Sequence, residues 1–322
     1  MTLAISDDGG LTWPLRRDLE TGDGYCLTNN SRDGLNREYS YPSITAFGRR
    51  NAAHRLHPIP AGHSIRARRS IVGAGRPDNV THAAPPMSQR RAVVTGVSSG
   101  IGATVVQRLL DDGWSVIGLS RRKPDFDQDA FSWRHCDLSD LPGVRSAVSG
   151  LGSIDAIVHA AGLQRSARLG QLSLADGRAM WEVHVGAAEE LVNALIGDVV
   201  DGGRIVLVGS RTMTGAAGKS QYTATKAAQL AMARSWALEL VQRAITVNVV
   251  APGPTSTPML TDPARAATPA PDPPFGRLIE PEEIAGSVAF LLSPDARSIT
   301  GQALVQCAGA SLVKRAYNTQ LC

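Results

Sequence analysis

In the run Tyr222-Thr223-Ala224-Thr225-Lys226 a phenol and an ammonium stand four residues apart, which places both on one face of a helix. A phenol with its ordinary pKa of about 10 is a poor base at neutral pH, but a neighbouring cation favours the phenolate and lowers that value. Lys226 supplies the cation, so the pair could exchange a proton with a substrate oxygen. Such pairs arise often by chance. This one follows Ser210, twelve residues upstream at the end of an apolar run. The second constellation is Thr95-Gly96-Val97-Ser98-Ser99-Gly100-Ile101-Gly102, set between the run Arg-Ala-Val-Val and a helical pattern that ends around Leu110. A glycine-rich turn in that place lets backbone N–H groups and the positive end of a helix approach a pyrophosphate with no side chains in the way.

The elements that must carry these groups follow from periodicity. From Met87 onward, β-type apolar runs alternate with helical patterns, the signature of a parallel sheet covered by helices on both faces. Strands are predicted at Arg91–Thr95, Ser115–Leu119, Trp133–Cys136, Ala156–Ala160, Arg204–Val208, Thr246–Val250 and Ala303–Gln306. Helices are predicted to begin near Ile101, Pro142, Leu172, Tyr222 and Pro281. The fold class is therefore α/β: a Rossmann-type doubly wound parallel sheet of about seven strands with an irregular N-terminal extension. No internal repeat is visible.

The T-G-x-x-x-G-I-G spacing and the Ser210, Tyr222, Lys226 set resemble the short-chain dehydrogenase/reductase family, over Arg90 to about Leu312. The resemblance implies an NAD(P)-dependent enzyme in which Gly96, Ser98, Gly100, Ile101 and Gly102 form the cofactor fingerprint. It places Asp137 and Leu138 at the adenine, and Ala160 and Gly162 at the family's N-A-G segment, where His159 replaces the usual asparagine. Tyr222 would transfer the proton, Lys226 would also hold the nicotinamide ribose, and Ser210 would bond the reacting oxygen. Pro252, Gly253 and Thr257 match P-G-x-x-x-T, whose glycine lets the chain pass the nicotinamide and whose threonine contacts the carboxamide; a plain proline-rich turn is the competing reading. His184 occupies the position of an asparagine that in many members holds a water for proton relay. An imidazole could serve a relay itself or be a helix-face residue beside a backbone carbonyl that does so, and it is not counted as catalytic. Gln306-Cys307-Ala308-Gly309 departs from the more usual V-D-G-G, at an end that commonly forms oligomer contacts in the family.

Cofactor choice is read from Gly118-Leu119-Ser120-Arg121-Arg122. An NAD-binding protein usually places a carboxylate there for the ribose 2′-hydroxyl. With no acid present, Ser120, Arg121 and Arg122 suit a 2′-phosphate through guanidinium donors, so NADP(H) is expected to be preferred and NAD(H) possible. A solvated basic loop is the alternative. The substrate would be a small-molecule carbonyl or alcohol. The stretch from Pro254 to Pro274 holds seven prolines and no charge or aromatic pattern that selects one. A 3-oxoacyl-carrier-protein-type reductase shares every motif, and a silent cofactor-binding regulator is a third possibility.

Composition excludes several classes. With 43% hydrophobic and 19% charged residues, the 322-residue chain is not of the disordered type. No apolar run approaches the ~18 residues that cross a bilayer, and no basic segment precedes an apolar core at the N-terminus. The net charge of +4 resides mostly in the leader: residues 1–86 hold 11 Lys and Arg against 8 acids, residues 87–322 hold 22 against 21. A nucleic-acid partner is thus not expected. Cys26, Cys136, Cys307 and Cys322 are scattered without a metal-ligand spacing, which fits a reducing cytoplasm and no metal site. A homo-oligomer, dimer or tetramer, is implied by the resemblance.

The leader divides in two. Ser6-Asp7-Asp8-Gly9-Gly10-Leu11-Thr12-Trp13 resembles the Asp-box hairpin of sialidase-type β-propellers, within a fragment of about 45 residues. Residues 46–86 carry seven Arg, four His and one acid without period, as a linker or disordered stretch would. One blade cannot make a propeller or gather a catalytic pair of acids, although a glycan-binding or sialidase-like protein is the reading if that fragment dominates. Every motif with a mechanism lies beyond Met87. A chain beginning at Met87 is therefore expected to match the full chain in melting temperature and specific activity; failure to fold would show that the leader is an integral part of the structure.

Overall fold

A computed structural model of the chain describes residues 89–263 and 273–312 and, before them, only the backbone of two short strands, Thr2–Ile5 and Leu15–Asp18, paired antiparallel. The chain divides into two compact units, Met1–Ala83 and Ala84–Cys322. The run Ser6–Trp13, residues 46–86 and the middle of the proline-rich stretch, 264–272, lie outside the described residues.

The second unit is built on seven strands: β1 (Arg91–Thr95), β2 (Ser115–Ser120), β3 (Phe131–His135), β4 (Ile154–His159), β5 (Val199–Val208), β6 (Thr246–Pro252) and β7 (Ala303–Gln306). All pair in parallel, in the order β3-β2-β1-β4-β5-β6-β7. Their Val and Ile content suits strands buried on both faces. Alternate residues divide between two cores. Val93, Ile117, Ile157, Ile205 and Val247 pack against α2 (Leu141–Val148), α4 (Ala187–Leu195) and α5 (Ser220–Leu240). Ala92, Val94, Val116, Val158 and Val206 pack against α1 (Gly100–Asp111) and α6 (Pro281–Leu292). The order reverses at β1, whose neighbours are β2 on one side and β4 on the other. In sheets of this order a ligand crevice lies beyond the carboxyl ends of the strands at that switch point.

The seven strands match the reading of the sequence, while bounds differ where polarity hid them and the order in the sheet comes from the structure alone. β5 starts at Val199, five residues early, because Asp201-Gly202-Gly203 interrupts its apolar pattern and the pairing register shifts between Ile154 and Ala156. β3 runs from Phe131 to His135 with a partly exposed pattern. The helix predicted near Leu172 is α3 (Leu174–Trp181), which continues through a π turn, Glu182–Gly186, into α4. Such π turns gather at functional sites.

Two histidines are fully buried beneath the carboxyl edge of the sheet. At the end of β4, His159 Nδ1 lies 3.1 Å from Thr95 Oγ1 and Nε2 lies 3.1 Å from the Val183 carbonyl oxygen. The Val183 carbonyl can only accept, so His159 carries its proton on Nε2, and Nδ1 accepts from the Thr95 hydroxyl, which itself accepts the Ala161 N–H. In the π turn, His184 Nε2 accepts the Leu163 N–H at 3.0 Å, which leaves Nδ1–H to donate to Thr225 Oγ1 at 2.8 Å. Both rings are neutral. Burial, then the charge of Lys226, pushes His159 down to about 3, and the same two causes hold His184 well below the usual imidazole range.

The sign of the linkage follows. A histidine whose folded pKa lies below its unfolded value of about 6.5 leaves stability intact above that pH and removes it as the pH falls toward the folded value. Each buried ring should contribute a loss of about 1.4 kcal/mol per pH unit in that window. Urea unfolding at pH 7, 6 and 5 is expected to show a falling free energy, and His159→Gln a shallower fall. A wild-type stability that is flat from pH 7 to 5 would contradict the buried neutral pair.

Candidate active site

The crevice is floored by the turn from β1 to α1. Gly96 (φ +74°) and Gly100 (φ +56°) adopt left-handed backbone. A methyl group on Gly96 would stand 2.7 Å from the Ala161 Cα, and one on Gly102 would strike the Gly96 carbonyl. Glycine at these positions lets the turn lie flat against the end of β4. Ser99 caps α1 without a side-chain bond, and the first turn carries no acid, so its amide donors and positive end are open to an anion. This cradle fits a dinucleotide pyrophosphate. Across it, a methyl group on Gly100 would touch Thr257 Cγ2 at 3.3 Å, and one on Gly253 would stand 2.8 Å from the Cys307 Cα, so the segment Pro252–Thr257 packs directly against the turn on one side and the end of β7 on the other.

Toward β2 and β3 the candidates separate. Ser120 is buried and its hydroxyl is engaged: it donates to the Arg122 carbonyl at 2.6 Å and accepts from Trp133 Nε1 at 3.0 Å. It braces the turn, while Arg121 and Arg122 are exposed. Asp137 is held by the N–H and hydroxyl of Ser139 at 3.0 and 2.7 Å, which together with the Arg121 charge keep its carboxyl below the usual range. The Leu138 side chain lies in the core, leaving its backbone to any ligand.

On the other side, α5 carries Tyr222 and Lys226 one turn apart. Ser210 caps a 3₁₀ turn, Arg211–Thr214, accepting the Thr212 N–H at 3.2 Å with the Thr212 hydroxyl at 2.9 Å. Ser210 and Tyr222 line an open cleft together with Ile101, Pro252, Gly253 and Thr257; Arg211 and Lys219 face the same cleft. Lys226 Nζ is buried 5.9 Å from the Tyr222 ring centroid and donates to the Val208 carbonyl at 2.9 Å and to Gln229 Oε1 at 3.1 Å. Burial pushes it down to about 7. A methyl group on Gly162 would stand 3.8 Å from Nζ and 3.1 Å from His184 Nε2. The glycine keeps that space.

Of the sequence candidates, Ser210, Tyr222, Ile101, Pro252, Gly253 and Thr257 line the cleft, Lys226 is buried beside Tyr222, Gly96 packs against Ala161 after β4, and Gly100 packs against Thr257. His184 packs edge-on to Tyr222, ring centroids 5.6 Å apart, with both nitrogens committed; it is a brace rather than a proton carrier. The sequence reading passed over Gln229. It sits three residues after Lys226 and seven after Tyr222, on the same helix face, and a wholly buried amide in an alanine-rich helix was the available signal. Among the described residues no group of three His, Cys, Asp or Glu side chains could hold a metal, and no helix is long and apolar enough to cross a membrane.

The profile of the family described as "Enoyl-(Acyl carrier protein) reductase" matches residues 96–311. The chain is 34% identical over 248 residues to the (2S)-[(R)-hydroxy(phenyl)methyl]succinyl-CoA dehydrogenase subunit BbsD of Thauera aromatica, covering 70% of this chain and 98% of that one. It is 34% identical over 229 residues to the 3-oxoacyl-[acyl-carrier-protein] reductase FabG of Vibrio cholerae, covering 66% and 93%. Among solved structures, a blue fluorescent protein from a metagenomic library in complex with NADPH aligns with a TM-score of 0.61 at 33% identity, over 68% of this chain and 97% of that one. A 3-ketoacyl-(acyl-carrier-protein) reductase from Brucella melitensis complexed with NADH aligns with a TM-score of 0.62 at 27% identity, over 69% and 98%. The family match begins at residue 96, and the propeller-like reading of the leader finds no support. The crevice at the switch point, the glycine cradle and these matches lead to one conclusion: the chain belongs to the short-chain dehydrogenase/reductase family of NAD(P)-dependent oxidoreductases.

Proposed function

We propose that the protein is an NADP(H)-preferring oxidoreductase that interconverts a carbonyl and a secondary alcohol through Ser210, Tyr222 and Lys226. The observation that carries this reading is the meeting of Ser210 and Tyr222 in one cleft with Ile101 of the glycine turn, above the buried Lys226 ammonium. The dinucleotide would be held by the turn Gly96–Gly102, by Ala160 and Gly162, by Asp137 and the backbone at Leu138, and by Pro252, Gly253 and Thr257; bound there, it supplies or accepts the hydride. Ser210 hydrogen-bonds the substrate oxygen. In reduction the Tyr222 hydroxyl gives its proton to that oxygen, and in oxidation the phenolate takes it back. The Lys226 charge favours the phenolate and so sets how readily the proton moves.

A second reading, reduction of a 3-oxoacyl thioester, is favoured by the relatives that act on carrier-bound or CoA-bound acyl groups by name. Arg211 and Lys219 in the cleft suit the anionic carrier of such a substrate. A homo-oligomer is supported by the exposed apolar side chains Leu174, Trp181, Leu238 and Val241, and a cytoplasmic setting by the free thiols of Cys136 and Cys307.

Screening ketones, 3-oxoacyl thioesters and alcohols by NADPH absorbance tests the activity. With the substrate so found, Tyr222→Phe is expected to abolish turnover while leaving NADPH binding largely intact; wild-type turnover would defeat the assigned role. For cofactor choice, the two guanidinium groups at Arg121 and Arg122 and the absence of an acid after β2 should favour NADPH. Loss of both should weaken that preference by about 1–3 kcal/mol. Equal affinity of the unmutated protein for NADH and NADPH would contradict it.

A further inference from the structure

Gln229 is fully buried on α5, one turn beyond Lys226. Its Oε1 accepts from Lys226 Nζ at 3.1 Å and its Nε2 donates to the backbone carbonyl of His184, in the π turn, at 2.9 Å. The orientation of the amide is settled by chemistry. Turned over, it would set an N–H₂ against an ammonium and an oxygen against a carbonyl oxygen, two repulsions in a buried site.

We propose that Gln229 is a positioning residue for the proton-exchanging pair, an amide strut between the π turn and Lys226 that keeps the ammonium charged and fixed in direction beside Tyr222. The proposal rests on the role given above to Tyr222 and Lys226. Lysine has three N–H donors. With one on the Val208 carbonyl and one on Gln229, tetrahedral geometry fixes the third.

The groups that face this ammonium are few. His159 comes from β4, His184 from the π turn and Tyr222 from α5 itself, and both imidazoles are neutral. β5 offers the Val208 carbonyl, β6 carries no titratable side chain, and Arg211 and Lys219 lie at the cleft with Tyr222. No carboxylate is among the hydrogen-bond partners of Nζ, so two neutral oxygens stabilise the charge. Phenol and ammonium titrate as one coupled pair. The first proton to leave, to solvent, comes either from the Tyr222 O–H bond or from an Nζ–H bond, and an acceptor held against Nζ favours departure from the phenol. Burial already brings Nζ down to about 7, and without the Gln229 oxygen it falls further, so that less ammonium remains beside Tyr222 as the phenol ionises.

Tyrosinate absorbance reads this choice without substrate or cofactor. A pH titration of the ultraviolet spectrum, taken as the difference between each protein and its Tyr222→Phe counterpart, isolates Tyr222. In the wild type its midpoint is expected below the ordinary value of about 10. Gln229→Met keeps the volume and removes both bonds; it should move the midpoint up by about one unit, a roughly tenfold change in ionisation. Gln229→Glu keeps an oxygen against Nζ but adds a negative charge on the same side of Tyr222, behind the ammonium that lies 5.9 Å from the ring; its midpoint should fall between the other two. If Gln229→Met does not fold, Gln229→Glu is compared with the wild type alone, and a midpoint raised by a full unit overturns the proposal. An unchanged midpoint in Gln229→Met overturns it and leaves the Tyr222–Lys226 reading standing. A wild-type midpoint at the ordinary value removes that reading, and the proposal with it.

Discussion

Lys226 Nζ is buried at the carboxyl edge of the sheet, and its hydrogen-bond partners among the described residues are the Val208 carbonyl and the Gln229 amide oxygen, neither of them charged. Removing an ammonium from water without a counter-ion is costly, and the cost shows as a pKa pushed down to about 7. The surroundings are arranged to bear it. His159 and His184, which would repel a cation if protonated, are locked into neutral tautomers by Thr95, Val183, Leu163 and Thr225. Gly162 leaves room where a side chain would press on both Nζ and His184. The π turn brings the His184 carbonyl to the Gln229 amide, and the Thr225 hydroxyl that receives His184 donates in turn to the Tyr222 carbonyl.

The sheet supplies the frame for that cluster. Parallel strands deliver their carboxyl ends to one edge, so β1, β4, β5 and β6 contribute the glycine turn, the Ala160–Gly162 segment, Ser210 and the Pro252–Thr257 segment to a single crevice. Contacts at Gly96, Gly102 and Gly253 are so close that a single methyl group would separate these segments. The same geometry that brings the backbone within reach of a pyrophosphate also sets the reactive end of the cleft.

Much of this was legible in the sequence. The seven strands follow from Val- and Ile-rich runs separated by helical periods, because strands buried on both faces must be apolar throughout; their order in the sheet is set by pairing between distant segments and was not read. β5 was read short, since Asp201-Gly202-Gly203 breaks that pattern where the strand kinks. Ser210, Tyr222, Ile101, Pro252, Gly253 and Thr257 of the cleft could be singled out because glycine spacing and the four-residue phenol–amine interval are local, whereas Gln164, Arg211, Lys219 and Met259, which line it too, carry no such spacing. What escaped was non-local: the Gln229 bond to a carbonyl 45 residues away, and the Thr95 bond to His159 across 64 residues, have no spacing to betray them. Ser120 was placed correctly at the end of β2, yet its hydroxyl is spent on Trp133 and Arg122, a partner choice that only the β2–β3 pairing reveals.

A buried, unpaired cation that survives at such cost should be kept for function at the expense of stability. Its sign in the linkage agrees: a lysine whose folded pKa of about 7 lies below its unfolded 10.5 weakens the fold at neutral pH, and the penalty lifts as the pH rises through that window. The most direct measurement is urea unfolding of Lys226→Met, an apolar replacement of similar shape, followed alongside its turnover. The account predicts a variant that is inactive and more stable than the wild type at pH 7, by about 1–4 kcal/mol as found when buried charges are replaced by apolar groups. A variant that is less stable, or one that still turns over, would contradict it.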